Sequence, residues 1–289
     1  MDQDLERRLG ELRDSDDVVA LIELGCDLSD AGRSSDAEAC FRRAARSGDP
    51  VAFYDLGNEL AAQERWAETV EPYERAIAGG ETDALFNLGL ALEELGDLAG
   101  ARRAYEAAAA AGDTKGWVHL AWLLRSLGEL RPAAAAVEAG AAAGDLLAAA
   151  VHACWRWCET RDPALEADLW AGADRYDCAR TDLADLLHGS GRLDEARKVL
   201  QRGVELGESA SMLALGNLLS EELDDDVAAE RVYRLGIAAG DAHCHDNLGV
   251  LLRERGDLDG AAEQFFYGEL RGDALAARHL RELGEAFGS

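Results

Sequence analysis

The chain has 289 residues, 48% of them apolar and 30% charged, with only four prolines. That supplies a sizeable core and excludes a disordered chain. A formal charge of −28 repels phosphate backbones, so nucleic acid is not expected as a partner, whereas basic proteins and peptides are favoured.

No apolar run is long enough to cross a bilayer, so no membrane role is expected, and the opening "MDQDLERRLGELRDSDD" has no secretory pattern. The six cysteines lie inside helical patterns and are expected to be reduced thiols of a cytoplasmic protein. Lysine occurs only at Lys115 and Lys198. That usage, with abundant Ala, Gly and Asp, is expected of GC-rich bacterial coding.

In chain order, residues 1–17 read as an N-terminal capping helix. Eight copies of one pattern follow, over 18–49, 50–81, 82–113, 114–145, 146–177, 178–208, 209–241 and 242–273. Residues 274–289 read as a C-terminal capping helix, such polar-faced ends being what repeat arrays need. A Leu-Gly pair marks the copies at Leu24-Gly25, Leu56-Gly57, Leu88-Gly89, Leu215-Gly216 and Leu248-Gly249. Leu120-Ala121 and Leu183-Ala184 keep the phase, and His152-Ala153 is a weaker copy.

Each copy reads as two helices. In the third, Leu85, Leu88, Leu92 and Leu95 form the stripe of an amphipathic helix, and Ala101, Tyr105 and Ala108 form that of a second. Gly96-Asp97 and Gly112-Asp113 supply a left-handed C-cap followed at once by an N-cap. Turns this short predict antiparallel hairpins. Pro50, Pro132 and Pro163 fall at helix starts, where proline is tolerated, but Pro72 lies inside a second helix and is expected to kink or shorten it. A mid-helix glycine costs about 1 kcal/mol against alanine. Its recurrence after the leucine therefore predicts close helix–helix approach, with at least three hairpins stacked for stability.

These residues resemble the tetratricopeptide repeat family: in the third copy Leu85, Leu88-Gly89, Leu92, Gly96, Ala101, Tyr105 and Ala108, and in the eighth Leu248-Gly249, Leu252, Gly256, Ala261 and Phe265. The junction "AARSGDPVAFYDLG" is similar to the Sel1-like subfamily. The resemblance implies an all-α, right-handed superhelical solenoid of about eight helix-turn-helix repeats of ~32 residues.

It further implies that the first helices line a concave groove. There the sequence places Val51, Tyr54 and Asn58; Phe86, Asn87 and Leu90; Lys115, His119 and Trp122; and Val151, Cys154 and Trp157. Trp122 and Trp157 read as anchors for a partner peptide or helix. Asn58, Asn87, Lys115 and His119 partly match a clamp that grips a peptide C-terminal carboxylate in some members of the family. Asn217, Asn247 and His279 repeat that theme without a lysine.

The fifth copy carries His152, Cys154, Cys158 and Cys178, but His152 points away from Cys154 and no paired C-x-x-C element exists, so no metal is expected. His243 and His245 face nearly opposite ways on a helix, and "GDLAG" and "GDLDG" are turn chemistry without a following Lys-Ser/Thr. No catalytic set and no cofactor site emerges, so the expected function is a non-enzymatic scaffold or adaptor for another protein or peptide. A sensor of a small peptide or ligand and an acidic decoy of a basic protein are the alternatives, and homo-oligomers through ends or outer faces stay open.

Overall fold

In the computed structural model, which describes residues 2–287, every regular element is helical. The chain divides into two compact units, Met1–Ala148 and Ala149–Ser289.

The first unit begins with α1 (Asp2–Glu11) and continues as four hairpins. These are α2 (Val18–Asp30) with α3 (Ser34–Ala44), α4 (Pro50–Ala62) with α5 (Trp66–Ala78), α6 (Ala84–Glu94) with α7 (Leu98–Ala111), and α8 (Lys115–Ser126) with α9 (Leu130–Ala142). The end of α1 is tied down by Arg43, whose guanidinium donates to the carbonyls of Leu12 and Arg13 at 2.6 Å each. In the second unit, α10 (Leu146–Thr160) leads through a 3-10 turn at Pro163–Leu165 into the short α11 (Glu166–Gly172). Then come α12 (Asp177–Gly189) with α13 (Leu193–Glu205), α14 (Ser209–Glu221) with α15 (Asp226–Ala238), α16 (His243–Glu254) with α17 (Leu258–Leu270), and finally α18 (Ala274–Phe287).

The turns follow from local chemistry. At Gly96 (φ 78°) the chain turns left-handed, so that Asp97 N donates to Leu92 O at 2.8 Å and Gly96 N to Glu93 O at 2.9 Å, a Schellman closure. The Asp97 carboxylate then accepts from Gly100 N at 2.9 Å and starts α7. The same happens at Asp257 and Gly260, 3.0 Å, so these acidic turns fill their own anion-facing backbone. Asp49 and Asp162 cap the helix starts that carry Pro50 and Pro163.

Pro72 does not shorten its helix. It is buried at the seventh position of α5, which runs the same 13 residues as its neighbour α4. Packing against α4 outweighs the hydrogen bond the ring forfeits.

The Leu-Gly glycines have a specific neighbour. A β-carbon at Gly25 or Gly249 would lie 2.5 Å from the ring of Phe41 or Phe265, and one at Gly57, Gly89 or Gly216 would collide with Tyr73, Tyr105 or Tyr233. Each ring comes from the second helix of the same hairpin, so these glycines close hairpins rather than join them. Where alanine replaces glycine, the matching position holds an aliphatic side chain: Ala121 with Val137, Ala153 with Leu169, Ala184 with Leu200.

Neighbouring hairpins are joined by other small residues. A β-carbon at Gly268 would lie 2.6 Å from the Ala276 methyl; Gly203–Ser211 and Gly236–Cys244 are arranged alike. Both sets let backbones approach closely and bury the apolar stripes that no single hairpin covers.

Candidate functional site

In the first unit the groove residues named from sequence come from three successive first helices: Tyr54 and Asn58 from α4, Phe86, Asn87 and Leu90 from α6, and Lys115, His119 and Trp122 from α8. Tyr54, Phe86, Asn87 and Lys115 border one cleft of about 390 Å³, together with Asp83 and Asp113. From sequence Asp113 reads only as a cap and Asp83 draws no notice, because both stand at helix starts, where an aspartate ordinarily caps. Asp113 does so, accepting from Lys115 N at 3.0 Å.

Beside the cleft the aromatic rings form a packed cluster. His119 sits edge-on to Phe86 at 4.8 Å and to Trp122 at 5.2 Å, and 5.6 Å from Tyr105. Phe86 is 9% exposed and therefore a floor, not a free surface, while Trp122 is 37% exposed. The Lys115 ammonium lies over the Phe86 ring at 5.6 Å, a cation–π contact that leaves its charge accessible. Burial pushes the His119 imidazole below its ordinary value, with smaller opposing pulls from Glu93 and Asp113. Burial thus favours the neutral form of His119, and Lys115 is the cation that lines this cleft.

Asn58 and Asn87 are engaged with each other. Asn87 Nδ2 donates to Asn58 Oδ1 at 2.8 Å, and Tyr73 Oη donates to the same oxygen at 3.0 Å. The second unit repeats this: Asn247 Nδ2 and Tyr233 Oη both donate to Asn217 Oδ1, at 2.6 and 2.8 Å. The asparagine after a Leu-Gly pair thus ties the ring of its own hairpin to the next first helix. His279, grouped with them from sequence, instead pairs with the buried Asp246 at 2.7 Å.

The groove residues named in the fifth copy do not belong to a surface. Trp157 is 6% exposed, and Val151 and Cys154 are buried, which corrects the reading of Trp157 as an anchor. The indole donates to Asp185 at 3.3 Å, and Arg161 covers its face at 5.2 Å. Leu169 stands here where five of the hairpins carry a ring, and Trp157 is buried in the same cluster as Leu169. Burial raises the Cys154 and Cys178 thiols, so neither is a ready nucleophile. Among the described residues no three of His, Cys, Asp and Glu are gathered as metal ligands, and no helix is long and apolar enough to cross a membrane.

The tetratricopeptide repeat family model matches residues 22–83 and 54–116, the stretch that carries α4, α6 and three of the five ring-on-glycine pairs. Over residues 22–116 the chain is similar to tetratricopeptide repeats. No curated protein matches its sequence.

Among solved structures, a Sel1 repeat protein from Oxalobacter formigenes is 18% identical over 96% of this chain and 90% of its own, with a TM-score of 0.70. A protective antigen of uropathogenic Escherichia coli strains, displaying an SLR fold, is 21% identical over 96% and 73%, TM-score 0.54. Yeast Tom70 is 13% identical over 87% and 60%, TM-score 0.55. At these identities the likeness is one of fold. Repeat proteins of this kind are generally protein–protein interaction scaffolds and typically not catalysts.

Proposed function

We propose that this repeat protein is a non-enzymatic scaffold that receives a segment of a partner protein on the α4–α6–α8 face. The observation that carries the reading is an accessible ammonium at one cleft, Lys115 over Phe86, with the His119 imidazole and the half-open Trp122 in the ring cluster beside it. A tryptophan anchor offers apolar area at little entropic cost, and Lys115 offers a charged donor to a partner carbonyl or carboxylate. With the Asn58 oxygen occupied twice, the asparagines serve chiefly to hold the first helices in register. A carboxylate grip would rest mainly on Lys115, beside Asp83 and Asp113.

The test is quantitative capture of the cognate partner by the full chain and by two variants. Trp122→Ala should weaken binding by about 2 kcal/mol, the scale of a buried anchor, and Lys115→Glu should weaken it at least as much at low salt. Helicity by circular dichroism should stay unchanged. Wild-type capture by both variants would remove this face from the function.

A further inference from the structure

We propose that the second unit carries a receptor for a basic side chain, arginine or lysine, of a partner protein, in the cleft between α12 and α14. The argument begins with a missing ring. In α14–α15 the ring of Tyr233 lies on Gly216, and in α16–α17 that of Phe265 lies on Gly249. At the same register α12–α13 holds Ala184 and Leu200. A leucine ends short of where a tyrosine ring would reach, and an alanine methyl keeps a ring from settling there.

One turn further along the first helix, Trp157 is buried in the preceding hairpin. His188, at the corresponding position, turns outward instead, its Nε2 3.1 Å from Glu222 Oε1. The result is a cleft of about 260 Å³ floored by Ala184, Leu200 and Leu218. It is smaller than the ~300 Å³ at which drug-sized sites begin, and suited to one side chain.

The mouth of the cleft specifies the sign of the occupant. Asp185, Glu221 and Glu222 border it, and no lysine or arginine lines it. Asp185 is bound by Arg161 and by the Trp157 indole, and Glu222 by His188. Glu221 has no ion-pair partner among the described residues. An apolar floor under an acidic mouth matches a side chain with a methylene stem and a cationic head, in a chain whose charge of −28 already draws basic partners.

This inference shares with the proposed function only the premise of a protein partner. Its cleft and residues lie wholly in the second unit.

The probe is N-acetyl-arginine-N-methylamide, titrated into the full chain and followed by the methyl NMR signals of Ala184, Leu200 and Leu218. N-acetyl-citrulline-N-methylamide, of equal length but uncharged, is the control. The arginine probe should shift these methyls saturably, and the citrulline probe should bind at least about tenfold more weakly. Glu221→Gln with Glu222→Gln, both exposed, should weaken the arginine probe about tenfold. Ala184→Gly with Leu200→Tyr, which recreates the pair seen at Gly216 and Tyr233, should abolish the shift of the Leu218 methyls, the reporter this variant retains, while helicity is kept. Trp122→Ala should leave it untouched, so failure here and failure of the α4–α6–α8 face are read separately. Equal response to citrulline, or an unchanged response in the glutamate variant, would overturn the proposal.

Discussion

Gly89 and Tyr105 show how one residue's size is set by another sixteen positions away. The ring occupies the volume a β-carbon would need, and its hydroxyl donates to Glu93 at 2.7 Å. Gly89→Ala should therefore lower stability by about 1 kcal/mol, the overpacking penalty of ~1–3 kcal/mol exceeding the helix-propensity gain. Adding Tyr105→Leu, which copies the Ala184–Leu200 pairing, should recover part of that loss, and a double-mutant cycle by urea denaturation measures the coupling.

Asp55 makes a second residue-scale case. Burial, reinforced by Glu81 and Asp49, raises its carboxyl from 3.8 to about 6. The folded state then binds more protons than the unfolded one between those values, so Asp55 favours folding at low pH and that contribution is lost as pH rises through 6. Asp55→Asn should stabilise the chain by about 1 kcal/mol at pH 7, the figure being discounted for partial exposure, and by nothing below pH 4. Denaturation at the two pH values checks the sign.

At the scale of the element, the turns inside the hairpins are the sharpest constraint. Five of them place glycine in the left-handed region, at Gly32, Gly96, Gly128, Gly191 and Gly256, but Glu64 (φ 57°) and Asp224 (φ 49°) occupy the same conformation with a side chain. A left-handed non-glycine residue costs roughly 1–2 kcal/mol, partly offset by the looser unfolded chain of glycine. Glu64→Gly should therefore raise the thermal midpoint, with a gain of about 0.5 kcal/mol, and Asp224→Gly should do the same to a smaller extent because aspartate tolerates this region better. Pro72 marks the limit of local rules. The proline reads as a break, yet α5 keeps its length because its partner helix fixes it in place.

For the whole molecule, a charge of −28 on 289 residues means self-repulsion over most of the surface. Adding salt shortens the screening length to about 10 Å at 0.1 M, so the thermal midpoint should rise between low and moderate ionic strength. The same titration separates two modes of partner capture. A complex held by charge alone should collapse over that range, as an acidic decoy would, whereas one anchored by Trp122 should persist.

The sequence by itself determined the all-helical class, the hairpin turns and the recurrence of small residues, because caps, left-handed glycines and apolar periodicity act within one or two turns of chain. It also placed Tyr54, Lys115, His119 and Trp122 on first helices, since register alone assigns a helical face. The pairing of Gly or Ala with a ring or an aliphatic side chain emerged only from the packed hairpins, because the partners lie on different helices. Only tertiary structure decided which of these side chains stay open. Trp122 and Trp157 both stand on first helices, Trp122 just after Ala121 and Trp157 a turn beyond Ala153, yet one is half-open and the other sealed, with its indole bonded to Asp185. Exposure depends on what the neighbouring hairpin happens to occupy, and that volume is fixed by residues distant in the chain.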